Sequence, residues 1–321
     1  MRRIHLDTDL GGDLDDLCAL AMLLRWPGDE LVQITGITVV GDTGGRRTGM
    51  VRRVLEIAGR TDIPVAAGAE TSGGYYPYDL GLPDEESYWE TPVVPSPNPA
   101  GEAVALLKQG IDGGVTIVGI GPYTNLRLLE EVHPGTLATA DVVLMGGYLV
   151  PPTEGYPAFG NEDDFNVQVD VASAVTVLRA CSPTLVPLLV PLAVTVETAL
   201  REAHLARLRE GDALARLVAR QAVAFAVDER MVERFGARCA NVPDDIINFQ
   251  HDALACAIAL GWRDGVTIED VAVRIEVNEG VLQASVDGNG TPLRIVTKVD
   301  GARFSEFWLD CVAQDLRIVH G

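Results

Sequence analysis

Leu6-Asp7-Thr8-Asp9-Leu10-Gly11-Gly12-Asp13-Leu14-Asp15-Asp16 sets five carboxylates in a ten-residue window. The apolar run Ile4-His5-Leu6 precedes it and the helix-forming run Leu17-Cys18-Ala19-Leu20-Ala21-Met22-Leu23-Leu24 follows, so the stretch reads as a strand, an acidic turn and a helix start. Carboxylates brought together repel and raise one another's pKa, so a fold that gathers them supplies a metal, a basic partner or a proton-transfer task. No Lys or Arg occurs between Arg3 and Arg25. Capping of the following helix accounts for two or three of Asp13, Asp15 and Asp16. It leaves Asp7 and Asp9, which share a face by strand alternation and stand where α/β sheets bind ligands.

Outward from this stretch, apolar strand-like runs alternate with amphipathic helical runs through the first 195 residues. Ile4 to Leu6 leads to a helix over Asp15 to Arg25, Gln33 to Val40 to one over Thr48 to Gly59, and Pro64 to Ala67 to one over Gly101 to Gly110. Val115 to Ile120 is followed by a helix over Thr124 to Val132, and Val142 to Met145 by one over Val171 to Ala180 and a strand over Leu185 to Val190. This pattern predicts an α/β fold with a mainly parallel central sheet wrapped by helices. Polar or Gly-rich turns end these strands, which predicts a common crevice at the strand C-termini. Beyond it, Val196 to Phe235 reads as two long helices, Asp252 to Leu260 as another, and Val271 to Val299 as a strand pair or meander with a Gly288-Asn289-Gly290 turn. The whole of 1–321 reads as one domain, with the Pro-rich stretch Thr91 to Pro99 as a long loop.

The chain carries 25 basic and 46 acidic residues, a formal charge of -21, which argues against nucleic-acid backbones or anionic membranes as partners and favours small ligands. The five cysteines show no C-x-x-C pair or zinc spacing, and no apolar stretch reaches membrane-spanning length, so the expected setting is the cytoplasm.

Three further segments carry chemistry. His251 and Asp252 open an apolar helix, a pairing that is often only a cap. Gly160-Asn161-Glu162-Asp163-Asp164-Phe165-Asn166 gathers amides and carboxylates suited to vicinal hydroxyls, although such a segment is also an ordinary solvated loop. Gly121-Pro122-Tyr123-Thr124-Asn125 is a tight turn that frees the Ile120 carbonyl to point into the crevice.

Asp-Thr-Asp-x-Gly with its Asp-Asp pair, Gly-Pro-x-Thr-Asn, Met-Gly-Gly after a strand, acid-Phe-Asn and His-Asp-Ala-Leu occur here in an order that resembles the inosine-uridine preferring nucleoside hydrolases. The resemblance runs from Asp7 to Leu254 and implies that family's fold, a Rossmann-like sheet with extra C-terminal helices and a small strand pair. It implies calcium-dependent hydrolysis of a ribonucleoside to base and ribose, by a homodimer or homotetramer acting on a small-molecule nucleoside or riboside. By the same resemblance, Asp9 both binds Ca²⁺ and takes the water's proton, Asp16, Asp252 and the Ile120 carbonyl are further ligands, and Asp7 is the supporting acid. Asp15 matches a ribose-hydroxyl binder, Asp164 and Asn166 the acid and amide that hold the sugar, and His251 the histidine that protonates the departing base. Asp42 stands where the family often has Asn, and Asn161 is a sugar contact on a shortened loop. Calcium prefers six to eight oxygen ligands, and direct attack by one positioned water would invert the anomeric carbon.

The chain departs from the family where the usual Asp-Pro-Gly-x-Asp-Asp loop gains two residues and has Leu10 for Pro, which leaves Asp13 as either cap or ligand contact. By the resemblance, the segments Ser72 to Tyr88 and Phe225 to Arg238 border the base, and Tyr75, Tyr76, Tyr78 and Trp89 are candidates either to stack on it or to pack on the loop or a neighbouring subunit. Two other readings compete: a Mg²⁺ phosphohydrolase built on Asp7-x-Asp9, disfavoured by Gly11 two residues on, and a non-catalytic nucleoside-binding relative.

Overall fold

A computed structural model gives the arrangement of residues 1–26, 32–74, 85–180 and 185–313. The strands are β1 (Arg2–Thr8), β2 (Val32–Val39), β3 (Val65–Ala67), β4 (Thr116–Gly119), β5 (Asp141–Met145) and β6 (Leu188–Val190), then β7 (Leu200–Arg201), β8 (Ile246–Asn248), β9 (Thr267–Asn278), β10 (Val281–Val286) and β11 (Thr291–Lys298). The helices are α1 (Asp15–Leu24), α2 (Arg46–Ile57), α3 (Glu85–Tyr88), α4 (Ala100–Asp112), α5 (Thr124–Val132), α6 (Phe165–Gln168) and α7 (Val171–Arg179), then α8 (Leu192–Thr195), α9 (Leu205–Glu210), α10 (Ala213–Glu229), α11 (His251–Ala259) and α12 (Gly301–Val312).

Nine strands form one sheet in the order β10-β9-β11-β6-β5-β4-β1-β2-β3. Every neighbouring pair from β3 across to β11 is parallel, and only β9 runs against its neighbours. The strand order reverses between β1 and β4, since the chain moves outward from β1 through β2 and β3 and then returns to β1's other side. At such a switch point the two flanking crossovers part to opposite faces and leave a crevice at the strand C-termini. Asp7 lies opposite Thr38 of β2 and Gly119 of β4, at the mouth of that crevice.

Burial follows the pleat. Ile4 and Leu6 enter a large apolar cluster with α1, α2, α10, α11 and α12, whereas a second cluster joins α4, α5 and α7 to the other face of the sheet. The parallel strands are buried nearly throughout, as a sheet covered on both faces requires.

Two expectations for the C-terminal half change. Between Val196 and Phe235 the chain forms the short strand β7, the six-residue α9 and one long helix, α10, because Gly211 and Asp212 interrupt the helical run and Asp212 caps a new start at the Leu214 and Ala215 amides. The meander over Val271 to Val299 is three strands rather than an isolated pair, and β11 docks it onto β6 so that it extends the main sheet. Its first turn is Glu279-Gly280, both at positive φ as a two-residue hairpin requires, and the second lies at Asp287 to Gly290. Among the described residues, β7 and β8 form a separate strand pair.

Helix α12 closes the α1 face. Trp308 is fully buried and its indole N–H donates to the Cys18 carbonyl at 2.9 Å. Trp308→Ala is expected to destabilise the chain by about 3–5 kcal/mol in a urea titration, the usual size of an aromatic cavity plus an orphaned acceptor.

Candidate active site

The helices α1 and α11 pack on each other, and both begin at the crevice. Asp15 and Asp16 occupy the first turn of α1, and Asp252 that of α11, so the partial positive ends of two helices partly offset their charge. One carboxylate oxygen from each lies within 4.8 Å of the others, close enough to share one ion. All three are buried, at 5%, 3% and 3% exposure. Burial raises each pKa well above the ordinary carboxylate range, and neighbouring acids, Asp9 among them, raise it further.

Asp7 and Asp9 approach from the end of β1. Asp7 is wholly buried; its Oδ1 accepts from the Thr38 hydroxyl at 2.5 Å and the Asn125 amide at 2.8 Å, while its Oδ2 has no partner among the described residues. Burial pushes Asp7 up to about 7 against the opposing hydrogen bonds. Asp9 presses so closely on the β4–α5 turn that a Cβ at Gly121 would stand 2.7 Å from its Oδ1. An acidic group of this density, with three oxygens in reach of one point and a fourth buried oxygen unsatisfied, suits a hard divalent cation with oxygen ligands.

Arg47, at the start of α2, is the basic group the N-terminal stretch lacks. Its buried guanidinium donates to the backbone carbonyls of Asp9 and, at 3.0 Å, Gly41, and its charge lowers the pKa of both Asp9 and Asp16. Gly12, inside the expanded loop, lies against it: a Cβ there would sit 3.3 Å from Nη1. The extra loop residues therefore pass over an internal cation.

The remaining expected site residues take these places. Asp13 Oδ1 accepts from the Leu14 amide at 2.5 Å, the Asp15 amide at 3.3 Å and the Asn248 side chain at 2.5 Å, so it braces the entry to α1. Asp42 is buried and receives the Arg47 amide at 2.7 Å, the Thr48 amide at 3.0 Å and the Thr48 hydroxyl at 2.5 Å, which fix its carboxylate at the start of α2. The Ile120 carbonyl accepts from the Asn166 amide at 2.9 Å, which ties the sugar-loop segment to the switch point. Asp164 caps α6 through Val167 and accepts from the Gly147 amide at 2.5 Å; burial raises it to about 6. Asn161 opens a short 3-10 turn, and its backbone carbonyl accepts from Gln168 at 2.9 Å.

His251 begins α11 beside Asp252. Its Nδ1 is 2.6 Å from the Thr195 hydroxyl, its ring stands 5.4 Å from that of Phe249, and burial lowers its pKa to about 3. Phe249 extends into an edge-on cluster with Phe235 and Phe159, which gives the region beside His251 an aromatic wall. Phe235 falls in the segment expected to border the base. Trp89 is 5% exposed and packs in the core, so it is not free to stack on a ligand. Tyr75, Tyr76 and Tyr78 lie outside the described residues.

Sequence reading missed Thr38, Asn125, Arg47, Asn248 and Thr195. Asn125 stood in a quoted motif and Thr38 lies one strand over from Asp7, but Arg47 and Thr195 carry no local signal.

The sequence profile of the inosine-uridine preferring nucleoside hydrolases matches residues 4–306. The chain belongs to this family. Among its relatives, the pyrimidine-specific ribonucleoside hydrolase RihA of Salmonella paratyphi B is 32% identical over 230 residues, 67% of this chain and 68% of that protein. The RihA of Shewanella woodyi is 32% identical over 193 residues, 57% of this chain and 58% of that protein, so this chain spans less than two thirds of its length. The fold matches a plant nucleoside hydrolase with a TM-score of 0.74 at 19% identity, covering 97% of this chain and 99% of that one. It matches the purine-preferring ribonucleoside hydrolase from Gardnerella vaginalis with a TM-score of 0.70 at 18% identity, covering 97% and 98%. Family members are hydrolases of N-glycosyl compounds, and no described helix is long and apolar enough to cross a membrane.

The buried carboxylates fix the sign of the pH dependence. Asp7 binds a proton in the folded state up to about pH 7 but releases it near 4 when unfolded, so folded chain holds more protons across that interval and stability falls as pH rises through it. Chelator-treated protein should therefore melt at lower temperature at pH 8 than at pH 5.5, and a divalent cation should restore several degrees at pH 8. A chelated protein that gains stability over that range would show that the cluster does not ionise under strain.

Proposed function

We propose that this chain hydrolyses the N-glycosidic bond of a ribonucleoside to free base and ribose, with a calcium ion held at the β1–β4 switch point. The observation that carries the reading is the convergence of Asp15, Asp16 and Asp252 within 4.8 Å, with the charge of Asp9 bearing on all three and His251 next to Asp252. Asp9, Asp16, Asp252 and Asp7 are the side chains to hold the ion, with the Ile120 carbonyl beside them. When bound, the ion orients and acidifies a water and accepts the ribose diol.

The chain's own groups supply the rest. Asp9 accepts the proton of the attacking water. Asp15 sits at the same point and reaches the ribose hydroxyls, while Asp164 and Asn166 hold the sugar from the opposite loop, with Asn161 and Asp42 as further contacts. Breaking the bond builds positive charge on the sugar ring, which the surrounding carboxylates stabilise because they are fixed in a region poor in water. Electrons leave with the base, so the base needs a hydrogen-bond donor, and His251 lies against the aromatic wall where a base would rest. The substrate is thus a small-molecule nucleoside or riboside.

A panel of purine and pyrimidine nucleosides, followed by reducing-sugar release with and without chelator, tests the reading. Ribose release that stops on chelation and returns with Ca²⁺ is the expected result. Phosphate release from ribose esters would replace it with the phosphohydrolase reading, and melting shifts without turnover with a binding protein.

Two substitutions separate the roles. Asp9→Ala should lose metal binding by calorimetry and about 10²–10⁴-fold in kcat. His251→Ala should bind metal as the parent does and lose rate chiefly with natural bases, which are poor leaving groups. Full turnover in Asp9→Ala would overturn the mechanism.

A further inference from the structure

The half-buried His251 meets the Thr195 hydroxyl through Nδ1 at 2.6 Å, whereas Nε2 has no hydrogen-bond partner among the described residues. Thr195 itself is fully buried at the end of α8. Its hydroxyl makes no other hydrogen bond among the described residues: the i−4 carbonyl of Pro191, where a helical threonine often donates, receives the Thr195 backbone amide instead, at 3.1 Å. A buried hydroxyl hydrogen needs an acceptor, and the ring nitrogen is the one in reach.

A second residue locks both sides of this contact. The Thr198 hydroxyl donates to the Thr195 carbonyl at 2.7 Å and accepts from the Gln250 amide at 2.9 Å, so α8 and the residue before His251 are pinned to the same side chain. Phe249 covers the imidazole at 5.4 Å between ring centres and hinders its rotation. The frame holds the ring in one orientation.

We propose that Thr195 is the positioning residue that sets the His251 tautomer: its hydroxyl donates to Nδ1, the ring hydrogen resides on Nε2, and the Nε2–H is aimed outward as a donor to an acceptor atom of the departing base. With Nδ1 as acceptor and Nε2 as donor, the site recognises a leaving group that carries a lone pair, a ring nitrogen or carbonyl oxygen of a nucleobase. The tautomer rests on the geometry above; its use on a leaving base rests on the ribonucleoside hydrolase reading.

Thr195→Val keeps the buried shape and deletes the hydroxyl, and Thr195→Ser restores a hydroxyl without the methyl. Thr195→Val is expected to lower kcat on inosine or uridine about tenfold, the weight of one net hydrogen bond. It should leave kcat on p-nitrophenyl riboside within about twofold, since that leaving group departs without a donor, and Thr195→Ser should recover most of the loss. Loss on both substrates alike, or no loss on either, would overturn the proposal. Long-range ¹H–¹⁵N spectra of the full-length protein read the tautomer directly: the wild type should show His251 protonated at Nε2, and Thr195→Val should show a mixture. A wild-type ring protonated at Nδ1 would also overturn it. A wild type that cleaves neither substrate would remove the leaving-group role together with the hydrolase reading, while the spectrum still decides the tautomer.

Discussion

Buried carboxylates that face one another across less than 5 Å are the constraint around which this chain is organised. Each loses its hydration and gains a repelling neighbour, so the cluster is tolerable in its ionised form only where positive charge is supplied. The fold supplies it from three sources: the N-termini of α1 and α11, the buried guanidinium of Arg47, and a point open to a divalent cation. These sources are unequal. Helix ends contribute fractional charges and Arg47 one unit, held against the backbone of Asp9, so a group of five to six acids still favours a doubly charged ion.

The sheet order explains why such a cluster forms at all. Asp7 lies in β1 and Asp9 directly follows it, on the strand at which the order reverses and a crevice opens at the strand C-termini. Thr38 from β2 and Asn125 from α5 brace Asp7 from either side, and Gly121 allows the β4–α5 turn to close on Asp9. The Asn166 amide on the Ile120 carbonyl then draws the acid-Phe-Asn segment to the same place. The clustered acids and the acid-Phe-Asn segment thus share one frame of strand ends, and the rigid sheet holds their separation.

The two-residue expansion of the acidic loop is also intelligible in these terms. Asp13 braces the entry to α1 through backbone amides and Asn248, and Gly12 passes over the Arg47 guanidinium where a side chain would be crowded. Asp42 accepts from the first-turn amides of α2 and so holds that helix start. Gly12, Asp13 and Asp42 consequently brace the backbone around the clustered acids.

Alternating strand and helix runs, the acidic stretch after β1 and the five ordered motifs determined the fold class, the family and the crevice, because period and turn chemistry are local properties that residues carry along the chain. The break of the 196–235 region into β7, α9 and α10 was less legible, since Gly211-Asp212 is a weak signal inside a run with helical character. Which acids meet was decided only by tertiary structure. Asp252 is more than 230 residues from Asp16, Arg47 reaches Asp9 across a strand and a loop, and Thr195 finds His251 over 56 positions, so their pairing depends on how α1, α2, α8 and α11 pack. Sequence names the groups able to bear charge; packing sets the distances, and distance determines whether carboxylates repel, share an ion or keep a proton.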